Sequence, residues 1–526
     1  MAFYKDYKDQ AWLLPPRISD LIPGDHICYF VEEVLDSMDF SFIEVRYEGP
    51  GHPAYHPKII LRLLLMGMID GKRSSRKVAK SARENVVYMY LAGKLKPDFR
   101  TISDFRKNNR ELVGYCFKEV VSLAKQLGMV GFGSLCIDGS KVKANASTEK
   151  TLTKEELLFI EGFIKNEISK GISEDIIEDK LYGENKGGYE APKDIRTLIR
   201  EKIKEMNLKS RNEKFLRKMS RDYLEGDEER RETMRGRINK AKSQIDQDSI
   251  SLTDPESRFM KSKKGYTEHS YNPQITVDSK YGIILANDVV QQCTDEGQLI
   301  PQIEKCEENV DELPEGTKIN ADNGYYKAEN LKYLSDRKLD GYIPSNITSQ
   351  RLKGKIIEKN PFGKESFVYD PIKDEFICPN NERITFRYSY FDRSKKKNVR
   401  IYKGSDCRNC KYYNQCVKNK KGMKIIKSLD FEKETKAMAE KFESEAGREE
   451  YKIRARTVEW VYGDIKQNMG FREFLTRGLN NVKTEFNLVS IAHNLKRMWS
   501  VLKANARSPL NFYVNFNTSA NLQSLN

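Results

Sequence analysis

Two short stretches put a carboxylate where an apolar strand should simply stop. In SLCIDGSKVKANAS, Leu135, Cys136 and Ile137 read as the end of a buried strand, and Asp138 follows at once, with Gly139 behind it. In GTKINADNGYY a second strand runs into Asp322. An unpaired buried carboxylate is costly. Two carboxylates brought to one sheet edge repel, and a pKa rises unless a cation lies between them. Hard oxygen ligands with open positions suit Mg²⁺ or Mn²⁺. Asp-Gly and Asn-Gly are also plain turn signals, so a metal site needs a third carboxylate.

Glu459, in RARTVEWVYGDIKQNMGFREFLTRG, is that candidate. At about 100° per residue, Lys466 lies only about 20° around a regular helix from Glu459, and Arg456 about 60° away. One helical face would then carry a carboxylate between two cations. A salt-bridge stripe has the same pattern. Acidic metal ligands beside phosphate-binding cations are, however, what phosphoryl chemistry on nucleic acid requires.

A second constellation is Cys378, Cys407, Cys410 and Cys416, spaced C-x28-C-x2-C-x5-C. The C-x2-C pair is a good chelating half-site. The neighbours in SDCRNCKYYNQC are too polar for core cysteines, and a loop-rich segment gains most from a metal staple. One structural Zn²⁺ with no catalytic role is the expectation. The five histidines show no metal-ligand spacing such as HExxH.

The elements that must position these residues are legible in outline. The chain has 526 residues, too many for one ordinary core. Its net charge of +15 points to a polyanionic partner. The longest apolar run, IILRLLLMGMI from Ile59, is broken by Arg62 and too short to span a bilayer. MAFYKDYKDQAW has no signal-peptide core. Nine cysteines, an odd number spread along the chain, fit a reducing cytoplasm better than a disulfide framework.

Residues 1–125 read as a helical N-terminal domain. Pro57 suits the first turn of a helix through KIILRLLLMGMI. Ser74 or Ser75 can cap a second helix running to Gly93. That second helix opens with Arg76, Lys77 and Lys80, so the pair resembles a DNA-binding helix-turn-helix. From 130 to 500 the order is strand, hairpin with its turn near Ser279–Gly282, helix, strand, helix, strand: a mixed α/β sheet with flanking helices. Two insertions interrupt it, a charged helical one at 150–255 and a cysteine-bearing β/irregular one at 346–430. A helix broken at Gly447 carries Glu459. The tail 504–526 is rich in Asn and Ser and reads as loosely held.

On these residues the chain resembles a bacterial insertion-sequence transposase with a ribonuclease-H-like DDE catalytic domain. HPKIILRLLLMGMIDGKRSSRKVAKSARENVVYMYLAG and PDFRTISDFRK resemble that family's N-terminal helical domain. IDGSKVKANAS resembles its first-aspartate strand, and YNPQITVD and ADNGYY its middle strands and second aspartate. YKIRARTVEWVYGDIKQNMGFREFLTRG and AHNLKRM resemble its glutamate helix and C-terminal end. The resemblance covers almost the whole chain. It implies a metal-binding triad of Asp138, Asp322 and Glu459 holding two Mg²⁺ or Mn²⁺ ions. One ion would activate water and then a DNA 3′-hydroxyl, and the other would stabilise the leaving oxygen. Tyr451, Arg454 and Lys466 resemble the family's signature around the glutamate, whose tyrosine and basic residues contact transposon-end DNA. In relatives the signature arginine lies four residues before the glutamate, where this chain has Ala455. Helix geometry favours Arg456, and the two-residue gap after Tyr451 favours Arg454; both stay candidates.

The resemblance thus implies an enzyme that cleaves insertion-sequence ends and joins them to target DNA. Its partners would be double-stranded DNA, as terminal inverted repeats and target, and a second copy of the chain on that DNA, in the cytoplasm at the nucleoid and without a membrane. The competing readings are an inactive relative that only binds DNA, a metal-dependent nuclease, and a zinc-stabilised scaffold. The last explains the cysteines but not the carboxylates.

Overall fold

Proline at the first position of a helix loses no hydrogen bond, because that amide has no partner inside the helix. Pro57 accordingly opens a helix, and His56 caps it by accepting from Lys58 N at 3.2 Å. The computed structural model describes residues 17–44, 55–162, 227–244, 249–262, 265–354, 360–370, 372–392, 397–405, 407–418, 422–429 and 432–505, with a few single residues between 216 and 223. Much of the helical insertion expected at 150–255, and the tail from 506, lie outside the described residues.

The N-terminal region is helical: α1 (Ile27–Asp36), α2 (Pro57–Ile69), α3 (Ser75–Glu84), α4 (Val86–Leu91), α5 (Phe99–Asn108) and α6 (Arg110–Gln126). Ser74 caps α3 by accepting from Lys77 N at 3.2 Å. The single helix expected as far as Gly93 is two helices. Asn85 adopts an extended backbone, and its side chain accepts from Val87 N and Tyr88 N, so it ends α3 and caps α4.

The main sheet holds β1 (Ser134–Gly139), β2 (Val142–Lys143), β3 (Arg258–Lys261), β4 (Thr267–Asp278), β5 (Ile283–Val290), β6 (Lys318–Ala321) and β7 (Asp340–Tyr342). Its spatial order is β5-β4-β1-β6-β7, with β2 and β3 paired to the first half of β4. β4 runs antiparallel to β1 and β5, whereas β1, β6 and β7 are parallel. The β4–β5 turn falls where expected, with Gly282 at φ +74°. Strands β1, β4 and β5 are almost continuously buried, as expected for a sheet covered on both faces.

Between the main strands lie α7 (Glu228–Lys242), α8 (Leu299–Val310) and α9 (Ala328–Asp336). A five-stranded antiparallel sheet follows: β8 (Val368–Asp370), β9 (Glu375–Ile377), β10 (Arg383–Asp392), β11 (Lys397–Gly404) and β12 (Ile425–Leu429), each paired to the next. The sequence reading found only parts of it, because its core is small: Phe367, Phe376, Ile384, Tyr402 and Ile426. Then come α10 (Glu432–Glu443), α11 (Glu445–Arg454) and the last helix, α12 (Leu479–Asn505). The break expected at Gly447 lies at Ser444, whose hydroxyl accepts from Gly447 N at 3.0 Å and caps α11. α12 packs on β5, α6 and α2, tying the N-terminal helices to the sheet.

Candidate active site

Parallel pairing of β1 with β6 sets Ile137 opposite Ala321, so the next residues, Asp138 and Asp322, stand side by side at the ends of neighbouring strands. Gly139 N donates to Asp138 Oδ1 at 3.0 Å, and Gly324 N to Asp322 Oδ1 at 2.7 Å. The ADNG stretch is therefore a turn and a strand-end carboxylate together. Burial raises the pKa of Asp322, with a nearby carboxylate, Asp295, adding to the rise; Arg454, the Gly324 amide and Lys353 act against it.

Arg454, the last residue of α11, points to these strand ends. Its Nη1 stands 3.1 Å from Asp138 Oδ2, and both side chains are largely buried. Burial opposes its charge, but Asp138, Tyr451 and Asp322 outweigh that and hold the guanidinium pKa above its ordinary value. Its Nε has no hydrogen-bond partner among the described residues. The guanidinium also lies over the Tyr451 ring, 5.7 Å from the centroid, and Tyr451 packs edge-on against Phe442. Of the two candidate arginines, Arg454 faces the carboxylates and Arg456 is exposed.

Sequence reasoning missed Asp295. Its Oδ1 accepts from Asn272 Nδ2 at 2.8 Å and from Gln274 Nε2 at 2.7 Å, and Tyr325 donates to Gln274 Oε1. A Cβ on Gly139 would overlap Gln274 Nε2 and Asp295 Oδ1, and one on Gly324 would stand 3.5 Å from Asp295 Oδ2. Asp295 thus lies against Gly139, one residue after Asp138, and Gly324, two residues after Asp322. The available signal was in YNPQ: Asn272 and Gln274 are buried amides inside a strand, and such groups need a polar partner.

Beyond Arg454 the chain stays helical but widens into two π-helical turns, Ala455–Glu459 and Asp464–Asn468, around a short α-turn. Such turns bond i to i+5 and recur at functional sites. The 100° reckoning therefore does not carry across this segment, and the shared face expected for Glu459 and Lys466 is not regular. Lys466 Nζ donates to Ser140 Oγ at 2.6 Å and Lys141 O at 3.3 Å, beside Asp138. Tyr462 donates to Pro273 O at 2.8 Å, with Asp138 O at 3.2 Å. Glu459 is exposed. Among the described residues no group of three or more His, Cys, Asp and Glu side chains is arranged to hold a metal ion.

The family model "Transposase domain (DUF772)" matches residues 16–108, and "Transposase DDE domain" matches residues 377–499. The two matches support an insertion-sequence transposase with an N-terminal domain and a C-terminal DDE domain. Both families point to DNA transposition, and the DDE domain points to nucleotidyl transfer. The first match spans α1 to α5 of this transposase; the second runs from the end of β9 through the π-helical segment and most of α12. No curated protein matches the chain.

The second match also takes in the transposase's four clustered cysteines. Cys378, Cys407, Cys410 and Cys416 line one cavity of about 30 Å³. Backbone amides of Asn380 and Glu382 donate to Cys378 Sγ, and that of Lys424 to Cys407 Sγ, each at 3.3 Å. Burial raises the Cys416 pKa, Cys407, Cys378 and Cys410 raise it further, and Lys424 opposes. None of the transposase's nine cysteines is in a disulfide.

On the N-terminal helices of the transposase, Arg76, Lys77 and Lys80 are exposed on α3. Arg76 stacks over the Phe99 ring at 4.8 Å, and Lys80 pairs with Glu84 at 3.6 Å. No described helix of the transposase is long and apolar enough to cross a membrane.

Proposed function

We propose that this transposase cleaves the ends of its own insertion sequence and joins them to target DNA through one ribonuclease-H-like active site. The observation that carries the reading is the parallel β1–β6 pair, which brings Asp138 and Asp322 side by side at neighbouring strand ends with the Arg454 guanidinium against them. The strand order β5-β4-β1-β6-β7, with only β4 reversed, supports the fold assignment. In this reading the N-terminal helical domain covers 1–125, the catalytic domain 130–500, and the insertions lie at 150–255 and 346–430.

The donor set fits divalent ions: buried acidic oxygens on adjacent strand ends, with a cationic side chain supplying positive charge there now. Asp138, Asp322 and Glu459 would hold two Mg²⁺ or Mn²⁺ ions, with Asp295 alongside. Bound there, such ions supply Lewis-acid activation of an attacking oxygen and charge stabilisation at a leaving one. The chain's own part is to place the phosphodiester. Lys466, beside Ser140, and Arg454 or Arg456 would contact phosphate oxygens near the scissile bond, and Tyr451 the transposon end. Arg76, Lys77 and Lys80 would contact duplex backbone. The cysteine cavity would hold one structural Zn²⁺. The active form would be a homodimer on DNA, working in the cytoplasm at the nucleoid.

Cleavage of a duplex bearing the element's ends, in Mg²⁺, tests this. Asp138→Asn, Asp322→Asn and Glu459→Gln should each abolish cleavage while end binding survives. Robust cleavage by any one of the three removes that residue from the triad. If Glu459→Gln cleaves and Asp295→Asn does not, the third carboxylate is Asp295.

A further inference from the structure

A cleft of about 450 Å³ opens between α5 and the segment that leads into α12, and neither Asp138 nor Asp322 lines it. Ser103, Arg106, Lys107, Asn145, Thr476 and Arg477 line it, and no carboxylate or aromatic side chain does. Arg106 is only 8% exposed, and its Nη1 has no hydrogen-bond partner among the described residues. A buried cationic donor left unbonded is costly.

The acidic group whose charge acts on Arg106, Glu485, does not relieve that cost. Glu485 is fully buried and already takes Arg73 Nη2 at 2.9 Å, the amides of Leu475 and Thr476, and the Thr476 hydroxyl at 2.7 Å. At the mouth, the Arg477 guanidinium is held by Asn145, through Nε to the carbonyl at 2.9 Å and Nη2 to Oδ1 at 3.1 Å. Lys107 is exposed beside it. Three cations, two hydroxyls and the amides of Asn145 and Asn481 thus surround one polar cleft.

We propose that this cleft binds a phosphodiester of the DNA backbone, clamped between the N-terminal helices and the C-terminal region. Arginine, lysine, serine, threonine and asparagine are the side chains that contact phosphate without reading sequence. The absence of an aromatic lining argues against a nucleotide held by its base, because bases are held by stacking. The inference rests on the reading of the chain as acting on DNA, but not on the carboxylate assignment.

The test is binding of the full chain to a random-sequence duplex, followed by anisotropy between roughly 50 and 200 mM salt. Each phosphate contact contributes about 0.9 to the slope of log affinity against log salt. Lys107→Ala and Arg477→Ala should each flatten the slope by about that amount, with unchanged melting temperatures. Arg106→Gln empties a buried position and can fail to fold, so the two mouth variants carry the test. Wild-type slopes in both would overturn the proposal. So would a cleft that binds inorganic phosphate, seen as thermal stabilisation lost in both variants, while the DNA slope stays unchanged. A chain that shows the slope changes but never cleaves ends keeps the cleft and loses the proposed function. One that cleaves ends with slopes indifferent to Lys107 and Arg477 keeps the function and loses the cleft. Failure of the wild type to bind any duplex removes both.

Discussion

Arg454 Nη1 and Asp138 Oδ2 are 3.1 Å apart, with the two side chains only 14% and 13% exposed. Without its cation the site would hold Asp138, Asp322 and Asp295 with little to balance them. Removing one partner of a buried ion pair costs about 3–5 kcal/mol. Arg454→Met, which keeps the apolar stem, should therefore lower the melting temperature. Added Mg²⁺ should restore more stability to the variant than to wild type, because the ion takes over the missing charge. Thermal melts with and without Mg²⁺ read this directly, and an Mg²⁺-independent loss would assign Arg454 to packing alone.

Lys466 reaches Ser140 and the Lys141 carbonyl, two and three residues beyond Asp138. Lys466→Ala should flatten the salt dependence of binding to end DNA by about 0.9 and depress cleavage together. Unchanged slope and unchanged cleavage would leave Lys466 as a tether between helix and strand.

His269 is buried on β4, between Thr151 Oγ1 at 2.9 Å and Ser257 Oγ at 3.2 Å. Burial pushes its pKa down to about 4. The unfolded chain titrates near 6.5. As pH falls below that value, the unfolded state takes up a proton that the folded state refuses. This contribution to stability is therefore complete above about pH 6.5 and is lost toward the folded pKa, by about 3 kcal/mol in all. Denaturant melts across that window should show the loss in wild type and less of it in His269→Gln.

The cysteine cavity should yield about one zinc per chain in protein purified without added metal. Cys410→Ser should lose the zinc, along with protease resistance across residues 370–420, because a metal staple contributes most where the core is small. Metal-free protein with that segment still resistant would leave the five aromatic and aliphatic core residues of the second sheet to hold it alone.

Much of the scaffold was legible because it depends on neighbours in the chain. Pro57 and Ser74 start helices through chemistry confined to one turn, and the Ser279–Gly282 hairpin turn needs only Gly282 at positive φ. The apolar residues around Asn85 continue the helical spacing and predict helix interior there; its side chain instead bonds two amides ahead and ends the helix. The five-stranded sheet is hard to see in the sequence because its strands are mostly polar and each buries few residues.

By itself the sequence determined that two strands end in carboxylates, that an acidic and basic helix follows, and that four cysteines share one polar segment. Residue type and local spacing carry that information. Only the tertiary structure decided which groups meet. The register of β1 on β6 brings Asp138 level with Asp322. The path from β5 to α8 swings Asp295 over Gly139 and Gly324. The π-helical turns after Arg454 break the regular phase that had joined Glu459 to Lys466, and Arg454 rather than Arg456 faces the sheet. The meetings of Asp138 with Asp322 and with Arg454 join residues more than a hundred positions apart, and no local pattern in the chain encodes them.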